Sequence, residues 1–350
     1  MHVKNSMTFT SVSALPDVLN VLDQYPIQSG TKAKIVQHRK EIEAILSGED
    51  DRLLLIIGPC SAFSREAVLE YAHKLKHATE PLKDRIKVVL RVYTQKPRTT
   101  FGWKGALLHP DPYGEPDLTA GIEYCRKMMV QIAEEVDLPM ADEILYTDLC
   151  LPYLSDLYSY GCIGARSSEL QRKRMVASGI DFPMGMKNPT SGNLVKAVQS
   201  VVVAQAENGP FPHLGAVVTT QGNHYAHLIL RGGNGKPNYQ ADVLEDMTDA
   251  LGKEKIQNSA IIVDVSHENS INGNGEKDVR NQIMVANCVL DYKKTHSESA
   301  VKGIMMESFL NEGHQYITDR DDFVPGTSLT DECLGWRETE RFLKEITNYL

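Results

Sequence analysis

Eight short apolar runs recur along the chain without alternating polar positions: LLLIIGPC at 53–60, KVVLRVY at 87–93, LPMADEIL at 138–145, CIGAR at 162–166, DFPMGMKN at 181–188, AHLILRGG at 226–233, AIIVDVSH at 260–267 and KGIMMES at 302–308. A strand with one wet face alternates; a run apolar on both faces suits a parallel strand buried on both sides. Between the runs the period changes to 3.6. Val68, Tyr71, Ala72 and Leu75 share a face after Ser64, a candidate N-cap. Ile122, Cys125, Met129, Ile132 and Val136 do so after Thr119. Leu194, Val198 and Val202 follow Gly192, with Gly209 as the expected stop. Val279, Ile283, Ala286 and Leu290 precede the last run, and Trp336, Phe342 and Ile346 belong to a final helix. Eight strand–helix units predict an α/β fold of the (β/α)8 TIM barrel kind. LGAVVTTQGN at 214–223 stands outside this alternation and predicts an inserted β-hairpin. Residues 1–50 form an N-terminal extension, an arm plus a helix at 35–47, and residues 51–350 form the barrel.

A chain of 350 residues accommodates one barrel and an extension. The net charge of −9 excludes a general affinity for nucleic acid or anionic membrane, so an anionic substrate needs a local basic cluster. The six cysteines show no pairing intervals, which predicts a reduced, cytoplasmic protein. The start has no charged segment followed by an apolar one, and no run approaches the ~18 apolar residues of a membrane span.

The candidate chemistry lies where the runs end. Cys60 closes the first. Arg91 lies in the second, with Lys96 and Arg98 just beyond, and Glu143 lies in the third. Arg166, Lys187 and Arg231 close the fourth, fifth and sixth; His267 and Glu307 close the seventh and eighth; Asp331 follows in the last loop. In a barrel these residues would converge on the C-terminal rim. Arg91, Lys96, Arg98, Arg166, Lys187 and Arg231 are six cations in an acidic chain, and buried cations require anions. Guanidinium forks suit phosphate and carboxylate. Cys60, His267, Glu307 and Asp331 form a mixed soft and hard donor set, suited to a divalent transition metal rather than to Mg2+ or Ca2+. Each residue alone has a plainer reading: a packed cysteine, a satisfied histidine, an ion-paired glutamate, a capping aspartate. GGNG at 232–235 lacks the lysine and threonine of a phosphate loop and reads as a turn.

The motifs IIGPCS (56–61), RVYTQKPRTTFGWKG (91–105), GARSSE (164–169), MKN (186–188), LRGG (230–233), DVSHENS (264–270), MMES (305–308) and SLTDECLGW (328–336) together resemble the class I 3-deoxy-D-arabino-heptulosonate 7-phosphate (DAHP) synthases of the Iα group, in register over about residues 35–348. The resemblance implies condensation of phosphoenolpyruvate with D-erythrose 4-phosphate at the first step of the shikimate pathway. It implies one divalent metal ion, Mn2+ before Fe2+, Co2+ or Zn2+, on Cys60, His267, Glu307 and Asp331. Arg91, Lys96, Glu143, Ala165, Arg166, Lys187 and Arg231 correspond to phosphoenolpyruvate residues, and Lys96, Pro97, Arg98 and Thr99 to the erythrose 4-phosphate segment. Lys96, Glu143, Cys60 and His267 are the implied catalytic residues. A homo-oligomer, dimer or tetramer, is implied as well.

Some segments depart from the family pattern: AFS at 62–64, ALLHPDPYGEPD at 106–117, ILYTDLCLPYLSD at 144–156 and KNPTSG at 187–192. The acidic N-terminal arm of the family's feedback site has no match in residues 1–16, which implies altered or absent inhibition by phenylalanine or tyrosine. The alternatives are a synthase using another aldose phosphate, a Schiff-base aldolase on Lys187 or Lys96, and a non-catalytic barrel that binds sugar phosphates and regulates.

Overall fold

The eight runs close on themselves. The computed structural model describes residues 10–99 and 101–349. Its strands are β1 (Leu53–Gly58), β2 (Ile86–Arg91), β3 (Met140–Glu143), β4 (Tyr158–Ile163), β5 (Met184–Lys187), β6 (Asn208–His213), β7 (Ala216–Thr220), β8 (His227–Leu230), β9 (Ile261–Asp264) and β10 (Val301–Glu307). All but β6 and β7 form a closed parallel barrel in the order β1-β10-β9-β8-β5-β4-β3-β2. The helices are α1 (Val18–Gln24), α2 (Ser29–Ser47), α3 (Arg65–Thr79), α4 (Leu118–Glu135), α5 (Thr147–Leu154), α6 (Gln171–Ala177), α7 (Leu194–Gln205), α8 (Ala241–Gly252), α9 (Asn281–Thr295) and α10 (Trp336–Glu345). One of α3 to α10 follows each barrel strand, which is the (β/α)8 arrangement. No helix of the described residues is long and apolar enough to cross a membrane.

At β4 and at the hairpin the boundaries differ from the sequence pattern for physical reasons. β4 starts at Tyr158, four residues before the apolar run, because Tyr158 and Tyr160 are fully buried with their hydroxyls bonded to Asp142 and His227. The hairpin starts at Asn208, not 214, and β6 carries Gly209, Pro210 and Pro212. Prolines are tolerated there because β6 pairs on one side only. Gly209 is thus part of the hairpin; α7 already ends at Gln205. The helix starts follow local caps: Asp117 accepts from the Ala120 amide at 2.9 Å, and Asn193 from the Lys196 amide at 3.0 Å. Ser64 stands at the α3 N-cap but makes no side-chain cap bond. Residues 1–9 of the N-terminal extension, within the stretch 1–16 that has no match to the family's acidic arm, lie outside the described residues, as does Thr100 of KPRTT.

The core has two parts. Leu53, Leu55 and Ile57 of β1 face the surrounding helices, while Leu54 and Ile56 point into the barrel with Val89, Ala141, Tyr160, Ile229, Ile262 and Met305. Ile42, Ile45 and Leu46 of α2 join this inner cluster. Arg39 of the same helix donates to the carbonyls of Tyr158 and Ser155, at the start of β4, at 2.8 and 2.7 Å. Helix α2 therefore closes the N-terminal end of the barrel, and the other end is left open. Ile45→Ala should cost ~2–5 kcal/mol in urea denaturation, as for truncation of a packed core side chain; a loss under about 1 kcal/mol would show that α2 is not part of the barrel core.

Candidate active site

At the open end, three cations surround one aromatic ring. The Arg91 guanidinium carbon lies 4.0 Å from the Tyr93 ring centroid, Lys96 Nζ 5.6 Å and Lys187 Nζ 5.9 Å. Tyr93 is 1% exposed, and its hydroxyl faces Cys162 Sγ at 3.1 Å. The ring face offers each cation favourable charge where water is excluded. The chain arrives here because β2 ends at Arg91 and the next residue continues alongside β3, with Val92 N donating to Ala141 O at 2.8 Å.

The buried cations have internal partners, which corrects the expectation that all six demand outside anions. Arg91 Nη2 donates to Glu307 Oε1 at 2.8 Å, Lys187 Nζ to Asp264 Oδ2 at 2.8 Å, and Arg231 Nη1 pairs with Glu268. Lys96 Nζ donates to Cys60 O at 2.7 Å and faces Cys60 Sγ at 3.2 Å. What remains is narrower. Among the described residues, Arg91 Nε and Nη1 and Arg231 Nε are buried donors with no partner, and Glu143 Oε1 is a buried acceptor with none. Such groups are rare in folded proteins, and here the donors suit phosphate or carboxylate oxygens.

Arg98 and Arg166 do not join the buried group. Both are exposed, and Arg98 lies over Gly102. Arg166 sits three residues beyond β4 and donates to Thr99 Oγ1 at 3.1 Å. Its charge still acts on Arg231 and Asp331, so it stands at the rim of the same mouth. Pro97 and Ala165 are half-buried and Thr99 is exposed. Gly164, beside Ala165, leaves space for Glu143: a Cβ there would lie 2.0 Å from Glu143 Oε1.

Next to the cations lies the donor set. Ligand atoms of Cys60, Glu307 and Asp331 lie within 4.8 Å of one another. His267 borders this trio, with Nε2 4.0 Å from Glu307 Oε1. Its backbone is left-handed at φ 58°, which turns the ring back over the barrel mouth. Ser266 Oγ is 2.7 Å and Asp264 Oδ2 3.3 Å from Nδ1, so the imidazole is oriented from behind and Nε2 faces the trio. A metal-bound histidine uses this support, with the second nitrogen held by a carboxylate. Burial lowers the His267 pKa, opposed by Asp264 and Glu307, which favours the neutral, ligating form. Burial also pushes the Cys60 thiol up to about 11, while Lys96 and Arg91 pull it down. Burial would raise Glu307, but His267 and Arg91 hold it below the usual carboxylate range. The set of thiol, imidazole and two carboxylates fits a divalent transition metal.

A cavity of about 250 Å³ opens between His267, Glu307, Thr330 and Asp331. A wider one of about 640 Å³ adjoins it, shares Thr330 and is bordered by Arg98, Trp103 and Lys104. A further hollow of about 840 Å³ lies among Asp51, Arg52 and Lys293, and none of the site residues described above lines it.

Four contributors escape a reading of run ends. Tyr93 reads as one more apolar position. Asp264 holds both Lys187 and His267, and its place in DVSH was the available signal. Glu268 neutralises Arg231. Thr330 reaches Cys60 Sγ with its hydroxyl at 3.1 Å.

The chain matches the sequence model of the DAHP synthetase I family over residues 28–344. It is 38% identical over 334 residues to the Trp-sensitive phospho-2-dehydro-3-deoxyheptonate aldolase of Escherichia coli K12, covering 93% of this chain and 92% of that protein. It is 37% identical over 339 residues to the phenylalanine-inhibited enzyme of the same name from Saccharomyces cerevisiae, covering 94% and 89%. The solved structure of a phospho-2-dehydro-3-deoxyheptonate aldolase from Francisella tularensis SCHU S4 superposes with a TM-score of 0.90 at 32% identity, covering 97% of this chain and 98% of that one.

Proposed function

The chain belongs to the DAHP synthetase I family, and on that premise we propose that it condenses phosphoenolpyruvate with D-erythrose 4-phosphate and water, releasing phosphate and DAHP, as a first step of the shikimate pathway. The observation that carries the proposal is the set of unpartnered buried donors on Arg91 and Arg231. They stand with Lys96 and Lys187 beside a donor set suited to a transition metal.

Phosphoenolpyruvate brings a phosphate and a carboxylate, and the free donors on Arg91 and Arg231 bind such oxygens in a dry site. Lys187 adds charge from β5, and Arg166 guards the rim with Ala165 beside it. Pro97, Arg98 and Thr99 line the path of the aldehyde's phosphate. Cys60, His267, Glu307 and Asp331 would hold the divalent metal, Mn2+ in the first instance, which supplies Lewis-acid polarisation of the aldehyde carbonyl. Lys96 carries the proton. Burial alone would lower its pKa, but Cys60, Glu307 and Glu143 hold it above the ordinary lysine value, so it is an ammonium at neutral pH. It donates that proton to the aldehyde oxygen as the new C–C bond forms. The enol carbon is the nucleophile, so positive character develops at C2. Glu143, whose Oε1 has no partner among the described residues, holds the water that adds there and takes its proton; the C2–O bond to phosphate then breaks and phosphate leaves.

A longer aldose phosphate is the second reading, because the cavity of about 640 Å³ beside Arg98 has room for one. The test is loss of the enol absorbance of phosphoenolpyruvate with erythrose 4-phosphate and with five- and six-carbon aldose phosphates. Turnover fastest with the four-carbon aldehyde supports the first reading; a preference for a longer one replaces it. EDTA should abolish turnover and Mn2+ restore it. Full activity in protein stripped to far below one metal per chain would remove the metal from the account.

A further inference from the structure

Asp142 sits between the two proton-handling residues and touches the backbone of one of them. Neighbours alternate along β3: Ala141 belongs to the barrel interior, Asp142 turns toward α4 and α5, and Glu143 turns back inward. The Asp142 side chain is fully buried, close enough to Cys125 and Cys150 to act on both thiols. A carboxylate between barrel and helices is costly unless its oxygens are fully bonded.

They are. Oδ1 accepts from Thr94 N at 3.0 Å and from Glu143 N at 2.8 Å. Oδ2 accepts from Thr94 Oγ1 at 2.6 Å, Tyr158 OH at 3.1 Å and Gln95 Nε2 at 3.4 Å. The Gln95 amide is fixed the right way round, because its oxygen accepts from Tyr146 N at 2.7 Å. Burial pushes the Asp142 carboxyl up to about 7, against the pull of these donors. Two backbone amides and a side-chain amide are obligate donors, so the cage fits the ionised form.

The bonds join separate pieces of chain. Thr94 and Gln95 belong to the segment that leaves β2 and delivers Lys96 one residue later. Glu143 and Tyr158 belong to β3 and β4. We propose that Asp142 is a positioning residue, whose carboxylate ties the segment carrying Lys96 to the strand carrying Glu143 and so sets the relative placement of the two. This rests on the roles read for Lys96 and Glu143 above. The remaining contacts agree: Leu107 N donates to Thr94 O at 3.1 Å and Lys96 N to Lys104 O at 3.0 Å, so backbone bonds tie residues 104 and 107 to the stretch that Asp142 holds.

Three variants of the full chain separate positioning from plain stability. Thr94→Val removes one bond on the Lys96 side of the carboxylate. Tyr158→Phe removes one on the β4 side, away from Lys96. Asp142→Asn keeps the shape and turns an amide toward the donors. Expected are a loss in kcat of about 10-fold for Thr94→Val and up to about 100-fold for Asp142→Asn, since a shift of about 1 Å in a catalytic group can cost ~100-fold. KM for phosphoenolpyruvate should stay within about 3-fold in both. Tyr158→Phe should lower Tm about as much as Thr94→Val yet keep kcat within about 2-fold. Equal kcat losses in Thr94→Val and Tyr158→Phe would overturn the proposal, as would unchanged kcat in Asp142→Asn. If Asp142→Asn does not fold, the other pair decides. Absence of turnover in the wild type would refute the functional reading instead, and a crystal structure of Asp142→Asn then decides the placement: Lys96 Nζ moved about 1 Å from Cys60 O sustains it, and Lys96 Nζ still on that carbonyl overturns it.

Discussion

Lys96→Met is expected to lower kcat by ~10²–10⁴-fold, the usual contribution of a positioned general acid. Methionine keeps the length and apolar stem of the side chain and removes the proton. The lysine is held at Cys60 O, 2.7 Å away, beside Cys60 Sγ and the Tyr93 ring. Its charge is stabilised by Cys60, Glu307 and Glu143 against the cost of burial. Arg91, Lys187 and Arg231 stay in place in the variant, so phosphoenolpyruvate affinity by calorimetry should fall far less than kcat. A kcat within about 3-fold of wild type would show that the proton comes from elsewhere. Borohydride with phosphoenolpyruvate or the aldehyde should trap no adduct on Lys96 or Lys187, because each ammonium is engaged by an oxygen or carboxylate; a trapped adduct would favour the Schiff-base alternative.

Arg91→Met carries the largest expected cost in stability. Arg91 is fully buried, and its Nη2 is bonded to a Glu307 that is only 2% exposed. Removing one partner leaves a buried carboxylate uncompensated, which costs ~3–5 kcal/mol. The pair Arg91→Met and Glu307→Gln together should recover part of that loss, since no lone charge remains. Both changes remove site groups, so neither variant should turn over. The measurement is urea denaturation of the two variants and the wild type. A single-variant loss under about 1 kcal/mol, or no recovery in the double, would show that the ion pair is not the coupled unit described here.

The barrel was legible because its strands are buried on both faces, and burial on both faces is what a continuous apolar run reports. The pattern failed where polar side chains are buried with partners. Tyr158 and Tyr160 start β4 unseen, since their hydroxyls find Asp142 and His227 only in three dimensions. The hairpin was misplaced because Pro210 and Pro212 argue against a strand unless its edge is free. At the site, residue type and place at strand ends sufficed to gather Arg91, Lys96, Lys187 and Arg231, and to place Cys60 by Glu307 and Asp331. Sequence order could not show that Asp264, Glu307 and Glu268 neutralise those cations, because each pairing crosses between strands. It also could not show that Arg98 and Arg166 stay exposed, which depends on where the loops after β2 and β4 lie.

The most direct measurement is a crystal structure with Mn2+ and phosphoenolpyruvate, recorded at the manganese absorption edge. One anomalous peak contacting Cys60, His267, Glu307 and Asp331, with the phosphate and carboxylate taking up the free nitrogens of Arg91 and Arg231, is the expected result. Manganese bound away from these four side chains, or phosphoenolpyruvate seated in another cavity, would contradict it.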